Sequence, residues 1–500
     1  MAVTGSRIER VGDVSRADAD LLLDVGDLIV APGFIDSHSH ADAALLDEPM
    51  AVPKVAQGVT TEVVGNCGFG PFPVLAAAAL DSVLGVSAEG APWAFRSVRE
   101  YRTALQDRGT AVNVAALLPH GPLRKSVLGA DDRAADEQEL RDMCRLAHDA
   151  LKQGAVGLSF GLLYAPGCFT PNQEIVALGR VAAALSRPLV FHVRNECDRF
   201  EESVIEAIEI GGESGAAVHI SHLKVADPAN WGRVGVSLAH LEEANQRGQQ
   251  VTCDSYPYSA GSSPFTTLLP PWALDGGIIQ TMSRLRDPAA RARISKALIG
   301  QEPIPGWSNL SLRIGWERCV AGSAPGLESW EGRSIADIAA SSQRHPHDLL
   351  FELLLTTNCT AIGIWHQMCE DDVQTVMRHP AQMVGSDGLH TPGKPHPRLW
   401  GTFPRVLGHY SRDLGLLTLE QAIHKMTARA AATFGLRDRG LLRPGHFADI
   451  CVFDPDHIAD RATYDNPTQP PEGIVHVICN GVPTMLNGQR AEHRPGDWLG

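Results

Sequence analysis

No apolar run in this sequence comes near the roughly 18 residues that a membrane span needs. Its start, "MAVTGSRIERVGDVSRADAD", holds no apolar stretch of signal-peptide length, so the expected location is the cytoplasm. Basic residues are few beside acidic ones, 43 Lys and Arg against 58 Asp and Glu, for a formal net charge of −15. A surface of that sign is ill suited to nucleic acid or anionic lipid; the expected partner is a small molecule, and assembly into homo-oligomers is left open. Disulfide spacing is lacking too. The ten cysteines form no CxxC pair and follow no regular interval, which reads as reduced thiols, most of them core residues.

What is present is an ordinary globular composition, 500 residues with 44% hydrophobic and 20% charged, enough for two or three domains or one barrel with additions. Short apolar runs at 60–65, 112–118, 155–160, 188–193, 216–221, 250–256 and 381–387 read as strands buried on both faces. Helical patterns lie between them. In "DDRAADEQELRDMCRLAHDALKQG", Asp131 or Asp132 is placed to cap a helix that Gly154 ends, and "RFEESVIEAIEIGGESG" repeats the arrangement before the next strand. Alternation of this kind implies a parallel sheet, either an open doubly wound one or a closed (β/α)₈ barrel.

Polar residues at the strand ends favour the barrel. "IVAPGFIDSHSHAD" (29–42) ends an apolar run on His38 and His40, whose alternate spacing on an extended segment lets both reach one ligand. Cys67, His192, His222 and Asp387 close four later strands. An open sheet would spread such ends along a line, whereas a barrel points them at one spot, the usual place for its active site. Taken singly, each has a bland reading: a hydrogen-bonded core histidine, an inert buried cysteine, an Asx turn at Asp387. Chance gives no reason for all of them to fall at the same end of successive strands. His219, His366 and His396 stay open.

"PGFIDSHSHAD" resembles the first-strand signature of the amidohydrolase superfamily, and "GVTTEVVGNCGFGPFPV" resembles its D-aminoacylase branch, the N-acyl-D-amino-acid deacylases. "FHVRNE" (191–196), "ISHLK" (220–224), "DSYPYSAGSS" (254–263), "HPAQMVGSDG" (379–388), "PHPRLWGTFPRVL" (395–407) and "DRGLLRPGHFADICVFDP" (438–455) extend the resemblance along nearly the whole chain. It implies one firmly bound zinc on Cys67, His192 and His222, and a second, weaker site completed by His38, His40 and Asp387 that shares the cysteine. A thiolate and two neutral imidazoles suit zinc and leave one position open. The anionic sulfur supplies the bridging charge, so no carbamylated lysine is expected. The implied reaction is amide hydrolysis by metal-activated water, with Asp387 as general base and then acid. Lys224, Tyr256, Ser262 and Arg398 match positions that bind the substrate's α-carboxylate.

The resemblance further implies a small β-sandwich from residues 1–28 and 434–500 around a barrel of residues 29–433, and the length of 267–317 suggests a lid within the barrel. The expected substrate is an N-acyl-D-amino acid or a dipeptide containing a D-residue. The apolar cluster Phe265, Leu268, Leu269 and Trp272 favours an uncharged side chain, while Arg284, Arg286, Arg291 and Arg293, at helical spacing, read as a solvated face. A cyclic-amide hydrolase of the dihydroorotase or hydantoinase type and a non-catalytic scaffold on the same fold are the competing readings.

Overall fold

The computed structural model describes residues 1–14, 18–82 and 93–500. Parallel strands succeed one another in chain order: Phe34–Asp36, Val59–Val64, Asn113–Ala116 continuing as Leu118–Pro119, Leu158–Gly161, Leu189–His192, Val218–Ile220, Val251–Ser255 and Gln382–Val384. Two joints close the ring. At the third strand, Leu117 N donates to Val64 O and Leu118 N to Gly157 O, both at 2.9 Å. Between last and first, Ser37 Oγ donates to Val384 O at 2.9 Å. The result is a (β/α)₈ barrel. Its strands are rich in Val, Ile, Leu and Ala because both faces are buried: Ile35, Val63, Ala115, Val190 and Met383 belong to an inner cluster with Ala430, Ala431 and Phe434, and the other face meets the helices.

The helices start and stop on local chemistry. Glu137–Lys152 begins at a capping box in which Asp136 accepts from the backbone of Glu139 and Glu139 reaches back, so the cap is Asp136 and not Asp131 or Asp132. Phe200–Ser214 ends at Gly215, whose φ of 76° continues no helix.

Two structures are added to the barrel. Strands Ile29–Pro32, Ile450–Phe453, Ile474–Cys479, Val482–Leu486 and Gln489–Arg490 form one antiparallel sheet, beside which the hairpin Ala2–Thr4 with Arg7–Arg10 lies through Ile8 N to His446 O, 2.9 Å. The passage from this sheet into the barrel therefore falls at Gly33 rather than at residue 29. Only glycine fits there, since a Cβ would sit 2.3 Å from Thr60 Oγ1. Residues 256–381, between the seventh and eighth strands, build an antiparallel sheet of Gly261–Pro264, Ile362–Trp365 and Cys319–Ser323 with helices such as Gly277–Arg286, Pro288–Leu298 and Pro346–Thr356. The segment 267–317 is the helical part of this larger insertion. Phe265, Leu268, Leu269, Leu285, Ile294 and Leu350 form its own apolar core. All ten cysteines are free, and no helix among the described residues is long and apolar enough to cross a membrane.

Candidate metal centre and active site

The ends of the barrel strands carry the candidate ligands. His38 and His40 come after the first strand, and Ser39–His40 pairs in parallel with Gly388–Leu389, which brings Asp387 beside them. His40 Nε2 lies 3.1 Å and His38 Nε2 3.5 Å from Asp387 Oδ1. Cys67 sits in the tight turn Asn66–Gly68 after the second strand, its Sγ 3.3 Å from His38 Nε2 and 3.4 Å from His222 Nε2. Cys67, His222 and Asp387 all take left-handed backbone angles, φ of 54°, 37° and 49°, which non-glycine residues adopt at a cost; their concentration here marks a site where orientation matters more than stability.

Among the described residues three compact groups of donors result: His38, Cys67 and His222; His38, His40 and Asp387; and His192, Glu196 and His222. The second is the expected weaker set. The first and third differ from the expected trio of Cys67, His192 and His222, because His192 groups with Glu196 and His222, its ring centroid 4.4 Å from that of His222, while His38 takes the place next to the sulfur.

This donor set fits a zinc ion. Burial opposes charge on Cys67, but the neighbouring His38 and His222 overcome it and hold the thiol well below its usual range, as a soft anionic donor. Burial keeps His192 neutral, and both of its ring nitrogens are buried without a hydrogen-bond partner, so a lone pair is free to coordinate. His40 shows the cluster's demand for positive charge: burial pulls it down, yet Asp387 and Cys67 raise it to about 9. The same two anions would hold a cation in place of that proton.

Behind the donors stand carboxylates absent from the sequence-based expectations. Asp254 accepts from His38 Nδ1 at 3.2 Å, from His219 Nε2 at 2.8 Å and from the backbone of His222 at 2.8 Å, which turns His38 Nε2 toward the sulfur. Glu196 lies 3.1 Å from His222 Nδ1 and 2.5 Å from Lys224 Nζ. Deeper still, Lys54 Nζ meets Asp36 at 2.5 Å and Ser386 Oγ at 2.7 Å, while Asp36 accepts from the backbone of both His38 and Ser386. That buried pair ties the His38 loop to the Asp387 loop. Of these, Glu196 and Asp254 stand inside the motifs "FHVRNE" and "DSYPYS", four residues after His192 and at the end of the seventh strand. Nothing in the local pattern marks Lys54.

A cavity opens on the cluster, lined among others by Lys224, Tyr256, Ser262 and Asp387. Arg398 stands beside it: Nη1 is 3.0 Å from Asp387 Oδ2, Nη2 donates to Ser262 O at 3.2 Å, and Cζ lies 4.5 Å above the Tyr256 ring. Burial opposes ionisation of Asp387, but Arg398, His38 and His222 hold its carboxyl well below the usual range. Ser262 Oγ is occupied by Gly363 O at 2.9 Å, which ties it to the insertion's sheet. The insertion supplies Ser263, Thr267, Ser308, Leu310, Trp365 and Gln367 to the wall. Neither the apolar cluster Phe265, Leu268, Leu269 and Trp272 nor the arginines at 284, 286, 291 and 293 line it. The first packs the insertion's core and its flank; Arg284, Arg291 and Arg293 bond to Ala273 O, Leu285 O and Glu302.

Comparison with known proteins supplies the chain's relatives. The sequence profile of an amidohydrolase family matches residues 22–256 and 347–485. The chain is 39% identical over 500 residues to the N-acyl-D-glutamate deacylase of Alcaligenes xylosoxydans xylosoxydans, covering 99% of this chain and 91% of the relative. It is 38% identical over 495 residues to the D-aminoacylase of the same organism, covering 98% and 92%. The crystal structure of N-acyl-D-glutamate deacylase from Bordetella bronchiseptica, complexed with zinc and a phosphonate mimic of the tetrahedral intermediate, is similar at a TM-score of 0.84 and 36% identity, covering 99% of this chain and 94% of that one.

Proposed function

This chain belongs to the amidohydrolase family, and on that premise we propose that it is a zinc-dependent deacylase that removes the acyl group from N-acyl-D-amino acids with uncharged side chains. The observation that carries the reading is the juxtaposition of a cationic pair, Lys224 and Arg398, with a carboxylate, Asp387, that also touches His38 and His40. Zinc held among Cys67, His38, His222 and His192, with His40 beside them, would supply the charge that polarises the amide carbonyl and lowers the pKa of water.

The protein's own groups do the rest. Lys224, held by Glu196 at the cavity wall, offers a cation to the substrate's α-carboxylate, and Arg398 offers a second, with Tyr256 and Ser262 shaping the same corner. Asp387, held ionised, accepts the proton of the attacking water and returns it to the amide nitrogen, which leaves poorly until protonated. The carboxylate corner and the reacting carbonyl fix two points of the substrate, and the insertion's wall fixes the third, so one hand is accepted. Relatives named for D-amino acids support the D hand.

The side-chain preference rests on the wall itself. Leu310, Trp365, Ser308 and Gln367 carry no charge, and the cavity's lysine is engaged by Glu196. An acidic side chain would be desolvated there without a partner. Free thiols, the sulfur of Cys67 above all, suit a reducing compartment such as the cytoplasm.

The test is zinc content followed by detection of amine released from N-acetyl-D-Leu, N-acetyl-D-Phe and N-acetyl-D-Glu, their L-forms, and hydantoins. Release from the neutral D-forms is expected. Preference for L-forms or hydantoins overturns the deacylase reading, and preference for D-Glu overturns only the side chain.

A further inference from the structure

The insertion's side of the cavity is polar as well as uncharged, and its own hydrogen bonds decide which polar groups are left for an occupant. Trp365 Nε1 donates to Ser263 Oγ at 2.8 Å. Thr267 Oγ1 donates its single proton to Pro264 O at 2.6 Å, so the contact of 3.3 Å between it and Ser263 Oγ takes the proton of the serine. Ser262 Oγ donates to Gly363 O. All three hydroxyls have committed their protons to the protein, and they can meet an occupant only with lone pairs. Ser308 Oγ is itself buried beneath the surface.

Gln367 is the exception. Its backbone is held on both sides, with N donating to Trp365 O at 2.9 Å and O accepting from Trp231 Nε1 at 3.0 Å. The residue lines the cavity and is 5% exposed, yet its carboxamide makes no hydrogen bond to any described residue. The amide lies against Gly261, another lining residue, where a Cβ would sit 2.5 Å from Nε2. A carboxamide enclosed in this way offers two N–H groups and an oxygen to whatever fills the space, and it is costly to leave unpaired.

We infer that this wall selects a D-amino acid whose side chain is itself a carboxamide, the class of glutamine and asparagine. The inference rests on the deacylase reading and narrows its uncharged side chains to one kind. Two primary amides pair with each other, each donating one N–H to the other's oxygen, and the substrate's second N–H suits the lone pairs of the hydroxyls. Leu310 and the Trp365 ring supply apolar surface for the methylene groups. An apolar side chain of similar length leaves Gln367 dry and unpaired. A carboxylate of the same shape has no proton to donate and finds no cation on this wall, while Lys224 is held by Glu196 at the α-carboxylate corner; one neutral amide does not replace the water it loses.

The experiment holds the acyl group at acetyl and compares D-Gln, D-Asn, D-Met, D-Leu and D-Glu by kcat/KM, in the zinc-loaded protein and in Gln367→Met. The better of the two amides should exceed D-Met and D-Leu by about tenfold and D-Glu by about 10² or more, within the discrimination that a hydrogen-bonding pocket reaches. In Gln367→Met the ratio of that amide to D-Met should fall to about one or below, with zinc content measured alongside. Should the variant not fold, the native series still decides. D-Met, D-Leu or D-Glu at or above both amides in the native protein, or a ratio that Gln367→Met leaves unchanged, overturns the inference and leaves the deacylase reading standing. Failure to cleave any N-acetyl-D-amino acid overturns that reading and this inference with it.

Discussion

The barrel mouth and the insertion share one cavity and are built on different principles. At the mouth, each donor stands at the end of a parallel strand whose position is set by its neighbours, and Asp254, Glu196 and the Lys54–Asp36 pair fasten the donors from behind. The insertion instead closes on its own core, around Phe265, Leu285 and Leu350, and reaches the cavity only with Leu310, Trp365 and a few uncharged polar groups. The family profile leaves a gap between residues 256 and 347, inside the insertion. The proposed chemistry thus draws on a part held from every side, and the proposed discrimination on a part that lies mostly outside the family profile.

Breaking the first part should abolish the reaction. Cys67→Ala removes the anionic donor between His38 and His222, and is expected to lose most bound zinc and on the order of 10³ in turnover, read by metal analysis and steady-state rates. A full equivalent of zinc with normal turnover would remove Cys67 from the ligand set. Asp387→Asn keeps the shape and removes the proton acceptor; turnover should fall by about 10² to 10⁴ while zinc stays, and an unchanged rate would make the residue structural. Smaller still is Glu196→Gln, which leaves His222 and Lys224 without their shared carboxylate. A loss of about 10- to 100-fold in zinc affinity or rate is expected, together with a raised KM as Lys224 loses its orientation. The insertion should answer differently: Leu310→Ala ought to shift the preference between D-Leu and D-Ala by about tenfold with zinc content untouched. Loss of metal in that variant would erase the division between the two parts.

The same division explains what could be read from the sequence. Buried parallel strands announce themselves as apolar runs, and a polar residue ending such a run stands out, so His38, His40, Cys67, His192, His222 and Asp387 are legible. Supporting carboxylates are not, because Asp254 and Glu196 matter through partners on other strands, and Lys54 is a charge placed 0% exposed by contacts far along the chain. In the insertion, the apolar residues near Trp272 suggested a pocket and proved to pack among themselves. An apolar cluster declares burial without saying whether it faces a core or a ligand.

Gly33 gives the molecule an order of assembly. The strand on its one side, Ile29–Pro32, pairs with Ile450–Phe453, and the strand on its other side leads straight to His38 and His40. During synthesis the histidines emerge early, but the strand that anchors their segment has no partner until residue 453 has left the ribosome. The sheet that steadies the His38 loop from outside the barrel thus joins two segments far apart in the chain and can form only once both have been made.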